Sequence, residues 1–148
     1  MVAAVSLAAL HGTERSQLKL SAEIRGEMLA HARDDLPNEC CGLLGGGEDR
    51  EPKTVYRAVN AEASPLRYSL DAKDQFRIMQ EMERAGEELV GIYHSHTKSA
   101  PYPSQTDINL ATYPGVAYLI VSLADGEEQP IRAFDIVDGT VTEIPLDQ

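Results

Sequence analysis

The sequence has no tryptophan and only two phenylalanines, so its core must be built mostly from aliphatic side chains. Positive charge is scarce as well. Lys and Arg number 13 against 24 Asp and Glu, a formal net charge of -11. Neutralising phosphates needs clustered cations, so a nucleic-acid binder is excluded and nucleic-acid partners are not expected. No apolar run approaches the roughly 18–20 residues of a membrane-spanning helix, so no membrane association is expected. Val2 to Leu10 is apolar and Ala-rich, but no positive region precedes it and no clear processing site follows. A signal peptide is therefore not expected. Residues 1–15 read as a loose N-terminal segment, residues 16–148 as one domain, and the cytoplasm as the location. The only two cysteines, Cys40 and Cys41, are adjacent. A disulfide between neighbours would be strained, and a zinc–thiolate site wants two to four residues between its ligands. Both thiols are expected reduced and buried as packing.

What is present suffices for one ordinary domain: 148 residues, 43% of them hydrophobic. Leu18 to Leu20 reads as a short strand. Ser21 reads as the N-cap of a helix through about Arg33, with Ile24, Met28 and Ala32 on one face at i, i+4, i+8. His31 reads as a residue of that helix's surface, and His11 falls in the loose segment. Cys40 to Leu44 is a strand, with the three glycines after it read as a turn. Thr54 to Val59 is another strand. A second helix opens at Ser69 or Asp71, carries Phe76, Met79 and Met82 inward, and stops at Gly86. Leu89 to Tyr93 is nearly all apolar, as in a strand buried on both faces. Ser104 opens a third helix to about Thr112. Val116 to Leu123 and Ile131 to Val137 are strands, and Asp138-Gly139 turns the second of them into a strand at Thr140 to Ile144. The fold class is α/β or α+β, a sandwich of helices around a mixed sheet.

The chemistry concentrates in His94-Ser-His96 and in Ser104-Gln-Thr-Asp107. Two strand residues at i and i+2 face the same side, so both imidazoles can converge on one ion. Asp107, in the first turn of the third helix, can face back toward them. Three protein ligands are what a catalytic zinc keeps, with a fourth position for water. Hydrolysis also needs a base, for which Glu39 at the head of the first core strand is the candidate. The Ser104 hydroxyl can donate to a developing oxyanion. Other readings stand beside these. His-x-His at a strand end can be a surface pair, and Ser-x-x-Asp can be a capping box, which does not exclude ligation by Asp107. Glu39 can be a solvated loop carboxylate. A zinc nucleoside deaminase would need His-x-Glu and Pro-Cys-x-x-Cys, and neither is present.

Taken together, Glu39, His94-x-His96, seven residues, Ser104, two residues and Asp107 resemble the JAMM (also called MPN+) metallopeptidases. Pro37-Asn-Glu-Cys-Cys-Gly-Leu-Leu-Gly45, Asn60-Ala-Glu-Ala-Ser-Pro65, Tyr93-His-Ser-His96, Tyr102-Pro-Ser-Gln-Thr-Asp107 and Ile136-Val-Asp-Gly139 resemble the family's small bacterial branch, over about residues 17 to 145. The resemblance implies a cytidine-deaminase-like architecture with a mixed central sheet and flanking helices. It implies Zn2+ on His94, His96 and Asp107, Glu39 as general base and then acid, and Ser104 as stabiliser of the tetrahedral intermediate. It further implies a ubiquitin-like sulfur-carrier protein with a C-terminal Gly-Gly as partner, cleaved at the amide after that tail to release cysteine in cysteine biosynthesis. Thr97 to Pro103, with Lys98 and Tyr102, would wall the cleft. An isopeptidase acting on another ubiquitin-like protein and a non-catalytic binding scaffold of the same fold are the alternatives.

Overall fold

The computed structural model describes residues 17–147. The expected loose segment over residues 1–15, with His11 in it, lies outside the described residues. A six-stranded mixed sheet carries the fold. Its strands are β2 (Cys41–Gly46), β3 (Pro52–Ala58), β4 (Glu88–His96), β5 (Ala117–Ser122), β6 (Ile131–Val137) and β7 (Thr140–Ile144), in the spatial order β3-β2-β4-β5-β6-β7. Only β4 and β5 run parallel; every other neighbouring pair is antiparallel. Two short strands, β1 (Leu18–Lys19) and β8 (Leu146–Asp147), pair in parallel. The architecture matches the expected mixed sheet flanked by helices.

The helices cover the sheet because their apolar stripes match its two faces. Helix α1 (Ala22–Asp34) is capped by the Ser21 side chain, which accepts from the Ile24 N–H at 3.2 Å. Ile24, Met28 and Ala32 are buried as their spacing predicts. His31 is a correction: it too is buried, 3% exposed, because it lies one residue from Ala32 on the stripe that meets the sheet. Helix α2 (Ala72–Arg84) is capped by Asp71, which accepts from the Asp74 N–H at 3.1 Å. Its inward residues are Ile78 and Met82, while Phe76 is 64% exposed. At 3.6 residues per turn, Phe76 lies about 160° around the helix from Ile78, so the i+3 reading put it on the wrong face. The helix ends in a Schellman motif. Gly86 takes φ 73°, Gly86 N–H donates to Glu83 O and Glu87 N–H to Met82 O.

The glycines after Leu44 do not all turn. Gly45 and Gly46 stay in β2, paired to both neighbours across an irregularity in register, and the turn follows them. The third helix, α3 (Gln105–Leu110), is shorter than the expected run to Thr112.

Strand alternation sorts the core into two clusters. One face gathers Met28, Ala32, Cys40, Leu44, Val90, Tyr93, Leu119 and Val121 beside α1. The other gathers Cys41, Leu43, Ile78, Met82, Ile92, Ile120 and Phe134 beside α2. Each Leu or Ile so buried contributes about 1.5–3 kcal/mol. The adjacent cysteines are free and buried, one on each face, as expected of packing residues. Burial pushes both thiols up to about 12, so neither is a nucleophile near neutral pH. Tyr93 and His94 part in the same way. Tyr93 turns toward α1, directly opposite Gly42, where any Cβ would collide with its ring. His94 turns toward α2 and α3.

Candidate active site

The C-terminal end of β4 delivers both histidines to one face, as the period of two requires. The chain leaves β4, loops through Pro101 and Pro103, and re-enters as α3 on that same side. Ser104 caps α3: its Oγ accepts from the Asp107 N–H at 3.1 Å, while Asp107 Oδ2 accepts from the Ser104 N–H at 2.9 Å. Both open readings of Asp107 therefore hold at once. The capping box fixes the carboxylate, and the same Oδ2 lies 3.1 Å from His94 Nε2 and 3.0 Å from His96 Nε2. The two Nε2 atoms are 3.3 Å apart. All three side chains are buried.

These three atoms form a triangle suited to a small tetrahedral cation. Ligands about 2.0–2.1 Å from a tetrahedral zinc lie roughly 3.3 Å from one another. Nitrogen, nitrogen and carboxylate oxygen also form a donor set that zinc accepts. The tautomer of His96 is correct for ligation, because its Nδ1–H donates to Ala100 O at 2.8 Å and leaves Nε2 with its lone pair. His94 is held by stacking: the Tyr68 ring lies 4.3 Å from it, centroid to centroid, at 20°. His94, His96 and Asp107 form the one group of three or more His, Cys, Asp or Glu among the described residues that could hold a metal ion.

Electrostatics mark the cluster as unusual. Burial lowers His94, and the neighbouring Asp107 carboxylate does not fully offset it. Burial opposes the charged form of His96 too, but Asp107 and the Ala100 carbonyl outweigh it and raise that imidazole. Burial alone would raise Asp107; the two adjacent imidazoles hold it well below the usual carboxylate range.

Glu39 lies just before β2 and is 4% exposed, so it is not a solvated loop carboxylate. Burial pushes its carboxyl up to about 7, with His96 lowering it and Asp107 raising it by smaller amounts. Its Oε1 is buried with no hydrogen-bond partner. A buried carboxylate oxygen without a partner is costly, and it fits a place beside a cation and a water. Glu39, His96 and Ser104 line one cleft of about 400 Å3 with Pro65, Leu66, Thr97, Lys98 and Ser99. Of the expected cleft wall, Lys98 lines this cleft. Tyr102 packs instead against Phe134 at 5.3 Å, beside Arg132.

The structure brings together all five residues that the sequence singled out. Three more residues act here to which the sequence reading gave no role. Ser95, between the histidines and fully buried, accepts from Cys40 N–H through its Oγ at 2.8 Å and so ties β4 to the residue after Glu39. Tyr68 and Asn60 act on the same region from a distant loop. Ser95 lies inside the His-x-His pair, but no local spacing shows that its hydroxyl reaches Cys40, and none links Tyr68 or Asn60 to the pair.

The family model for prokaryotic homologs of the JAB domain matches residues 21–137. This chain belongs to that family. A CysO-cysteine peptidase of Mycobacterium tuberculosis is 46% identical over 131 residues, covering 87% of this chain and 89% of its own length. A desampylase of Haloferax volcanii is 42% identical over 113 residues, covering 72% of this chain and 81% of its own. A protein from Desulfitobacterium hafniense, solved in solution, superposes with a TM-score of 0.80 at 38% identity, over 88% of this chain and 91% of that one. As a JAB-domain protein with peptidase-named relatives, the chain is a hydrolase, and His94, His96 and Asp107 could hold a metal ion for it. Among the described residues no helix is long and apolar enough to cross a membrane.

Proposed function

We propose that the chain hydrolyses the amide bond that follows the C-terminal Gly-Gly of a ubiquitin-like sulfur-carrier protein, releasing cysteine, and does so in the cytoplasm. The peptidase domain spans residues 16–148 in this reading. The observation that carries the hydrolytic part is the unpartnered Glu39 Oε1, buried in the same cleft as His96 and Ser104. The relatives named for CysO–cysteine and for desampylation support the carrier. The buried, reduced cysteine pair supports a reducing compartment.

His94, His96 and Asp107 would hold the zinc. When bound, the ion would polarise the scissile carbonyl and lower the pKa of a water. Glu39, buried beside the three ligands, takes the proton from the attacking water and hands it to the leaving amine. Ser104 Oγ already accepts from Asp107 N–H, so its own proton is free to donate to the carbonyl oxygen as charge develops there. A tail of two glycines suits this cleft, because a backbone without side chains can lie extended between Pro65–Leu66 and Thr97–Ser99.

Mass spectrometry of a carrier ending Gly-Gly-Cys tests the reading. Incubation with the zinc-loaded enzyme is expected to yield free cysteine and a carrier ending in Gly-Gly. No cleavage, with zinc bound at one per chain, would remove the proposal and leave a binding scaffold of the same fold. The desampylase likeness favours a second reading, isopeptide cleavage of carrier–lysine conjugates. Such a conjugate in the same assay separates the two.

A further inference from the structure

We infer that Asn60 is a positioning residue for Glu39, the base in the reading above on which this inference rests. Glu39 precedes β2 and so receives nothing from the sheet ladder. Its backbone is held by the segment 60–70 instead. Glu39 N–H donates to Ser64 O at 2.8 Å, and Asn60 Nδ2 donates to Glu39 O at 3.0 Å. The remaining capacity of the Asn60 amide is also used. Nδ2 donates to Arg67 O at 3.1 Å, and Oδ1 accepts from Glu62 N–H and Ser69 N–H, each at 3.0 Å. The side chain is 9% exposed.

The two halves of that amide do different things. The Oδ1 half shapes its own loop, as any turn asparagine does. The Nδ2 half reaches across 21 residues of sequence to the base. The loop it gathers also carries Tyr68, stacked on His94. It presents Pro65 and Leu66 to the cleft, with Pro65 O accepting from Thr97 Oγ1 at 3.3 Å. One amide thus fixes the carboxylate that moves the proton relative to the imidazole beside it and to the wall that meets the substrate. Misplacing a base by a fraction of an ångström costs turnover without changing how substrate binds.

Asn60→Asp separates the halves. The carboxylate keeps both acceptor contacts and sets an oxygen against the Glu39 and Arg67 carbonyls. In the zinc-loaded full chain, kcat for the carrier–cysteine adduct is expected to fall about tenfold or more, with KM changed less than about threefold and zinc still at one per chain. In a Glu39→Gln background, under single turnover with enzyme in excess, adding Asn60→Asp is expected to change the residual rate less than about twofold. Ser64→Gly, which slackens the same loop without burying a charge, is expected to lower kcat several-fold in the same zinc-retaining way. It carries the test should the aspartate variant not fold. An unchanged kcat overturns the inference. So does a loss that tracks zinc, or one that persists at full size in the Glu39→Gln background. Full activity of Glu39→Gln by itself removes the base assignment instead.

Discussion

Two buried polar groups lie on opposite faces of β4, one residue apart in sequence, and they are finished differently. On the α1 face, the Tyr93 hydroxyl lies 2.6 Å from His31 Nδ1, and His31 Nε2 lies 3.3 Å from Asp35 Oδ2. A carboxylate only accepts, so Nε2 carries the proton and Nδ1 accepts from the hydroxyl. Burial lowers the His31 pKa, which keeps the ring neutral. Every polar atom of the pair is used, and the group is structural. On the α3 face, three ligand atoms point at one another, and a fourth group, Glu39, has an oxygen with nothing to bond. A completed hydrogen-bond set marks packing. An incomplete one, held rigid by caps and stacking, marks a place for an ion and a reaction.

The contrast can be broken most decisively at Glu39. Glu39→Gln is expected to lower kcat by about 10²–10⁴ while zinc stays at one per chain, because the amide keeps the shape and loses the proton transfer. Metal analysis beside a turnover assay checks both halves, and near-native turnover would sink the contrast. Asp107→Ala comes next. It removes a ligand and half of a capping box, so zinc affinity is expected to fall, and about 1 kcal/mol of stability with it. Retained zinc with only a lower melting temperature would reduce Asp107 to a cap.

The metal-free protein offers a test of Glu39 by pH. Its carboxyl ionises near 7 when folded and near the ordinary 4.5 when unfolded. The folded state therefore binds the extra proton between these values, and stability falls as pH rises from about 4.5 to 7. The difference amounts to about 3 kcal/mol. Denaturant melts across that range are expected to show wild type losing about that much stability relative to Glu39→Gln as pH rises, since the other titrating groups are common to both proteins. Equal pH slopes in the two proteins would mean that the carboxyl is not buried in this way. Tyr93→Phe on the opposite face carries the smallest effect. It strands His31 Nδ1 and is expected to cost about 1–3 kcal/mol of stability with kcat unchanged. A loss of turnover there would show that the two faces are coupled.

Much of this was legible in the linear sequence. Four of the five site residues could be named because His-x-His uses the strand period and Ser-x-x-Asp uses the first turn of a helix, and both are local rules; Glu39 came from its place at the head of a strand and from the family resemblance. Helix caps at Ser21 and Ser104 and the turn at Asp138-Gly139 follow from equally local chemistry. What failed were statements about which side of an element meets the core. Phe76 was assigned inward on i+3 spacing, and His31 outward for being polar. Neither error is visible before α1 and α2 are laid on the sheet, because burial depends on the partner surface and not on the helix alone. The contacts of Asn60, Ser95 and Tyr68 were not foreseen for the same reason.

By itself, then, the sequence named a candidate ligand set, since residue type and short spacing decide what can bind a cation and where a strand side chain points. Only the tertiary structure decided that Glu39 has a buried, unpartnered carboxylate oxygen, that Asp107 caps and faces the histidines with one oxygen, and that Asn60, 21 residues away, holds the Glu39 backbone. Those facts depend on desolvation and on contacts between segments distant in the chain, and neither exists until the sheet has closed over its two layers of helix.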